Sequence, residues 1–148
     1  MDMNEDVFHL GIKALIRNEN GEILLLQVNK AKLKNSNTSE YWDIPGGRVQ
    51  KGESPIDTLK REVEEETGIK EVSNIRSLMM VLSNIRIPIT NEDSFGLILF
   101  VYTCNIPSNS NITISDEHIN YNWFNVVEAA RRLKIKYPTE FTDKIKSL

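Results

Sequence analysis

The chain has 148 residues, of which 40% are hydrophobic and 26% charged, and its formal net charge is −3. That length and balance fit one soluble globular domain, residues 1–148, with a core of its own. They argue against a general nucleic-acid binder, since no long basic stripe is present, and against a membrane protein, since the apolar stretches are too short to span a bilayer.

The N-terminal residues MDMNEDVF are acidic and lack the apolar core of a secretory signal. The single cysteine, Cys104, excludes an intrachain disulfide and fits a reducing compartment, so the expected location is the cytoplasm. Phe8 to Arg17 and Glu22 to Val28 read as strands. The Asn18-Glu19-Asn20-Gly21 link carries an Asn-Gly turn signal, so the two are expected to pair as a hairpin. Asn29 to Glu40 is polar, includes Lys30, Lys32 and Lys34, and reads as an exposed loop. Trp42-Asp43-Ile44 is a short apolar run that enters a Pro45-Gly46-Gly47 turn.

A helix follows. Ser54 supplies a side-chain cap, and Pro55 fits the first helical position. Asp57 places negative charge in the first turn, and Gly68 provides the left-handed stop. The predicted span is Ser54 to Thr67. Beyond it, Ser77 to Ile87 and Phe95 to Asn105 read as strands joined through Asn91-Glu92-Asp93-Ser94. Leu97 to Tyr102 is continuously apolar, as in a strand covered on both faces, and Cys104 at its end reads as a buried thiol. Pro107 to Asn111 is a loop, Asn120 to Phe124 a strand and Val126 to Leu133 a helix. Pro138 interrupts before a last helix over Glu140 to Ser147. There is no internal repeat and no linker.

The central helix poses a charge problem. At about 100° per residue, Glu62, Glu65 and Glu66 share one arc, and Ile56, Leu59 and Val63 occupy the next. An acidic stripe therefore borders an apolar stripe, at the edge of the core. Like charges at this spacing repel by a few tenths of a kcal/mol per pair, and partial burial adds to it. Lys60 and Arg61 offset only part. Clustered carboxylates of this kind suit a hard cation, Mg²⁺ first and Mn²⁺ second.

The same stretch has a fixed spacing: Gly47, five residues, Glu53, seven residues, Arg61-Glu62-Val63, one residue, Glu65-Glu66, one residue, Gly68-Ile69. At every fixed position it resembles the Nudix box of the Nudix hydrolase family. The resemblance implies an α/β fold, an α/β/α sandwich around a mixed β-sheet. It also implies metal-dependent cleavage of a diphosphate bond in a nucleoside diphosphate derivative. On this likeness Gly47 contributes its carbonyl to a metal shell completed by Glu62, Glu65 and Glu66, and Glu53 braces Arg61. A second echo is Ser115-Asp116-Glu117-His118, just ahead of Trp123-Phe124. Many Nudix enzymes carry a similar acidic loop, which makes Glu117, with Asp116 as alternative, a candidate ligand or general base.

The expected mechanism has metal held by the box glutamates neutralising the diphosphate, while a carboxylate removes the proton of the attacking water. Glu62 is the first choice of base and Glu117 the second; Glu65 completes the catalytic set. His118, Trp42 and Trp123 read as structural. The expected partner is a small nucleotide, a nucleoside triphosphate in preference to a nucleotide sugar or dinucleoside polyphosphate. A non-catalytic nucleotide sensor is the rival, and a homodimer is compatible with the chain. No residue that reads a base or sugar is identified. Candidate segments are Phe8 to Lys13, Asn29 to Glu40 and Ser83 to Phe95, with Phe8, Trp42 and Phe95 as aromatics and Asn84, Asn91 and Asp93 as polar partners.

Overall fold

The structure, a computed structural model, describes residues 4–32 and 41–148. Lys34 and the rest of the expected polar loop from 33 to 40 lie outside the described residues, as do residues 1–3. The strands are β1 (Phe8–Ile16), β2 (Ile23–Val28), β3 (Trp42–Asp43), β4 (Gly46–Arg48), β5 (Ser73–Leu82), β6 (Ile87–Pro88), β7 (Ser94–Asn105) and β8 (His118–Phe124). The α-helices are α1 (Pro55–Thr67), α2 (Val126–Arg132) and α3 (Thr139–Lys146).

A mixed sheet runs β4-β1-β7-β5, with β6 paired to β7, and a second sheet runs β3-β2-β8. β1 lies parallel to β7 and antiparallel to β4, so both of its edges are taken. Side chains alternate across these strands and feed two cores. On one side Ile12, Ala14 and Ile16 pack with Leu59 and Val63 of α1. On the other, Leu15, Leu97, Leu99 and Val101 pack with Ala129, Phe141 and Ile145 of α2 and α3. Each fully buried leucine, isoleucine, valine or phenylalanine among them contributes roughly 1.5–3 kcal/mol. The result is the α/β/α sandwich with a mixed sheet that the Nudix resemblance implies, with helices on both faces.

α1 forms where its caps predict. Ser54 Oγ accepts from the Asp57 N–H at 3.1 Å, and Asp57 Oδ2 accepts from the Ser54 N–H at 3.3 Å. Gly68 closes the helix at φ 76° and donates its N–H to Glu64 at 2.8 Å.

Two expectations are corrected. The Asn18–Gly21 turn forms, with Asn18 Oδ1 accepting from Asn20 and Glu22, but it does not close a hairpin. Apart from a single bridge between Arg17 and Ile23, β1 and β2 belong to different sheets. β1 has both edges occupied, and β2 finds its partners in β3 and β8. The strand expected over Ser77 to Ile87 starts earlier, at Ser73, and stops at Leu82. Ser83 still donates its N–H to the Leu97 carbonyl at 2.9 Å. The Ser83 and Asn84 side chains, however, bond the carbonyls of the Lys134–Tyr137 turn, and the Asn84 N–H goes to Lys136 rather than to β7.

Candidate active site

The box helix is joined to β4 by a loop that Glu53 organises. Glu53 Oε1 accepts from the Gln50 N–H at 2.9 Å and from the Thr58 hydroxyl at 3.0 Å. Arg61 grips the same carboxylate twice, Nε to Oε2 at 2.6 Å and Nη2 to Oε1 at 3.0 Å. These bonds, the Arg61 pair foremost, hold the Glu53 carboxyl down at about 2. The other Arg61 nitrogen donates to Glu62 Oε1 at 2.8 Å and reaches Glu65 Oε2 at 3.3 Å. One guanidinium thus links three of the box glutamates to each other.

The carboxylates of α1 do not share one environment. The Glu65 side chain is 58% exposed and touches only Arg61 among the described contacts. Glu62 is mostly covered and lies against Gly47, where a Cβ would collide with its carboxylate. Burial raises its pKa, partly opposed by Arg61. The Glu66 side chain is only 5% exposed. Its Oε1 accepts from the Gly46 N–H at 2.8 Å. Burial pushes Glu66 up to about 8, with Lys13 and the Gly46 bond opposing and Glu62 and Asp43 adding to the rise.

Glu66 meets the acidic loop. Ligand atoms of Glu66, Glu117 and His118 all lie within 4.8 Å of one another. Glu117 is exposed, whereas burial drives His118 down to about 4 and leaves its imidazole neutral. His118 Nδ1 is buried without a hydrogen-bond partner among the described residues. The loop is tied down from β2: Asn29 N–H donates to the Glu117 carbonyl at 2.8 Å, and Asn29 Nδ2 to that of Asp116 at 3.0 Å. Asp116, well exposed, pairs with Lys32 at 3.3 Å, and both line the recess beside Glu117. Of the candidate site residues, Gly47, Glu66 and Glu117 line one recess; Glu62 lies against Gly47, Arg61 joins Glu53 to Glu62, and Glu65 is exposed and reaches only Arg61 among the described contacts.

That recess is a cavity of about 510 Å³ whose lining includes Gly47, Glu66, Glu117 and His118 as well as the apolar Ile87, Leu97 and Leu99. The same lining holds a polar cluster that sequence reading missed. Asp43, fully covered, accepts from Lys13 Nζ at 3.1 Å, Lys136 Nζ at 2.7 Å and the Tyr137 hydroxyl at 2.6 Å. Burial alone would raise the Asp43 carboxyl, but the two ammonium groups hold it well below the usual range. A charged residue inside each of two apolar runs, Lys13 and Asp43, was the available signal. The expected recognition side chains lie elsewhere. Trp42 packs in the core, edge-on to Phe124, Phe95 is covered by His9, and Asn84 binds the Lys134 and Tyr137 carbonyls.

The chain matches the NUDIX domain over residues 7–144. It belongs to the Nudix family. An 8-oxo-dGTP diphosphatase of Haemophilus influenzae is 46% identical over 55 residues, 37% of this chain and 38% of that protein. The mouse protein "nucleoside diphosphate-linked moiety X motif 6" is 32% identical over 130 residues, 86% of this chain and 36% of its own length. The chain thus spans well under half of these curated relatives. Among solved structures, the MutT protein of Methanosarcina mazei superposes with a TM-score of 0.68 at 28% identity, covering 97% of this chain and 94% of that one. The Escherichia coli dihydroneopterin triphosphate pyrophosphohydrolase shares the fold at a TM-score of 0.70 and 18% identity, each chain 97% covered. No helix among the described residues is long and apolar enough to cross a membrane.

Proposed function

We propose that this Nudix chain is a metal-dependent hydrolase of phosphorus anhydrides that cleaves a nucleotide diphosphate bond, with nucleoside triphosphates the favoured substrates. The observation that carries the reading is the position of Glu66. A carboxylate on the box helix is buried beside Glu117 and His118, in the wall of a cavity large enough for a nucleotide. Burying an acid without a cationic partner in bonding contact is costly. The unpartnered His118 Nδ1 in the same wall points the same way.

The donor set fits a divalent cation: carboxylate oxygens of Glu66 and Glu117 and a ring nitrogen of His118 lie within 4.8 Å of one another, and Glu62 lies beside the Gly47 backbone on the same helix as Glu66. Mg²⁺ suits these oxygens best, with Mn²⁺ second. Such a cation supplies positive charge for the diphosphate oxygens and makes water more acidic. The chain's residues do the rest. Glu53 holds Arg61, and Arg61 fixes the Glu62 carboxylate against Gly47. Glu62, or Glu117 from the opposite loop, accepts the proton as a water oxygen bonds to phosphorus. The bridging phosphorus–oxygen bond breaks, and the leaving phosphate carries off its electron pair. The relative named as an 8-oxo-dGTP diphosphatase and the MutT protein structure support a triphosphate substrate, giving a nucleoside monophosphate and pyrophosphate.

The test is a panel of nucleoside triphosphates, nucleotide sugars and dinucleoside polyphosphates with Mg²⁺, products separated by chromatography. Monophosphate and pyrophosphate from a triphosphate are expected. Turnover confined to another group would move the substrate class, and no turnover at all in Mg²⁺ would overturn the hydrolase.

A further inference from the structure

The cluster around Asp43 has one carboxylate and two ammonium groups, Lys13 and Lys136, both largely buried and both lining the cavity. Lys13 serves two buried carboxylates, Asp43 by a hydrogen bond and Glu66 at longer range, whereas Lys136 is bonded to Asp43, and holding a long lysine chain in place costs rotamer entropy. Lys136 is held from both ends. Its side chain is tied to Asp43 at 2.7 Å. Its carbonyl accepts from the Asn84 N–H at 2.8 Å and from the Ser83 hydroxyl at 2.9 Å. The following residue, Tyr137, is locked by its own hydroxyl to the same Asp43. Three segments distant in the chain therefore converge to present one lysine head at a cavity wall.

We propose that Lys136, supported by Lys13, binds a phosphate oxyanion of the nucleotide, and that Asp43 is a positioning residue that holds both ammonium groups at the cavity wall. The assignment rests on the hydrolase reading above and names a grip that the box does not supply. The box glutamates offer only negative charge, so the diphosphate needs cationic donors from elsewhere in the wall. Lys136 lines the same cavity as the carboxylates Glu66 and Glu117 and the apolar Leu97 and Leu99, so its ammonium group is within the space a bound nucleotide would occupy. A charge-assisted bond from a lysine already desolvated by the protein is stronger than one from a solvated surface lysine. Asp43 then shares its two donors with the incoming anion, which keeps the empty site from holding an uncompensated charge pair.

The experiment is calorimetric titration of inorganic pyrophosphate into metal-free protein, compared for the wild type, Lys136→Met and Asp43→Asn. This readout needs no turnover, so it stands or falls apart from the hydrolase reading. Lys136→Met, close in volume and shape, is expected to weaken pyrophosphate by about tenfold, the scale of one charge-assisted bond. Lys136→Arg should restore most of it. Asp43→Asn frees the two ammonium groups, so the folded variant should weaken pyrophosphate binding, and unchanged affinity there would remove Asp43 as the positioning residue. If Asp43→Asn does not fold, Lys136→Met and its arginine counterpart decide the matter alone. Equal pyrophosphate affinity in wild type and folded Lys136→Met would overturn the proposal and leave Lys136 as a mere counter-charge for Asp43.

Discussion

Arg61 binds Glu53 through two parallel hydrogen bonds, Nε to Oε2 at 2.6 Å and Nη2 to Oε1 at 3.0 Å, and none of these atoms faces the cavity. The pair orders the loop before the helix and aims the remaining guanidinium nitrogen at Glu62. Glu53→Gln should therefore lower turnover through misplacement of Glu62, by about 10- to 100-fold as for other groups that orient a ligand. Glu66→Gln should lower it further, and Glu65→Gln should fall between. Equal losses in folded variants would show that the brace and the ligand are not separable roles.

The pH dependence of stability follows from two buried groups. Glu66 is raised from an ordinary 4.5 to about 8. The folded protein therefore keeps a proton that the unfolded chain releases, and stability falls as pH rises from about 4.5 to about 8. His118 is lowered from 6.5 to about 4, so its contribution rises with pH between those values and opposes Glu66 there. The net expectation for metal-free protein is a loss of stability between pH 6.5 and 8, on the order of a few kcal/mol at most. Chemical denaturation across that range should show the slope, and Glu66→Gln should flatten it. A wild-type curve that is level from pH 6.5 to 8 would contradict the assignment.

The two glycines before the box loop should respond differently to alanine. Gly46 sits at φ 155°, and a Cβ there would run into the Ile12 carbonyl and the Lys13 backbone, so Gly46→Ala should disrupt the β1–β4 pairing and the fold. At Gly47 the three atoms nearest the added Cβ all belong to the Glu62 carboxylate. Gly47→Ala should keep most of the thermal stability and lose turnover, since Glu62 must swing away. Circular dichroism melts beside activity assays would separate the two; intact activity in Gly47→Ala would remove Glu62 from the site.

Leu59 anchors α1 in the core at 1% exposure, one turn before the box arginine and glutamates. Leu59→Ala should cost about 2–5 kcal/mol by urea denaturation, the range for buried leucines. A cost near zero would mean that α1 is not held by this core.

How much was legible follows from the distance over which each signal acts. The caps at Ser54 and Gly68 and the spacing of the box are local, and α1 appears where they place it. The turn at Asn18–Gly21 is local too and forms; which strand β1 then pairs with depends on β4 and β7, which no nearby residue specifies. Lys13 and Asp43 each stand out as a charge inside an apolar run, but that they meet each other, Lys136 and Tyr137 was not legible, since the partners of Asp43 lie 30, 93 and 94 residues away. Glu117 was reached only through likeness to a loop, and the convergence of Glu66 with His118 needed the fold.

If the buried edge of α1, with Glu117, holds a divalent cation, Mn²⁺ titration followed by electron paramagnetic resonance should separate the wild type from Glu66→Gln and Glu117→Gln. Tight Mn²⁺ binding by the wild type is expected, with weakening by about 10- to 100-fold in Glu66→Gln and a smaller loss in Glu117→Gln. A folded Glu66→Gln variant that binds Mn²⁺ as the wild type does would contradict a cation site there.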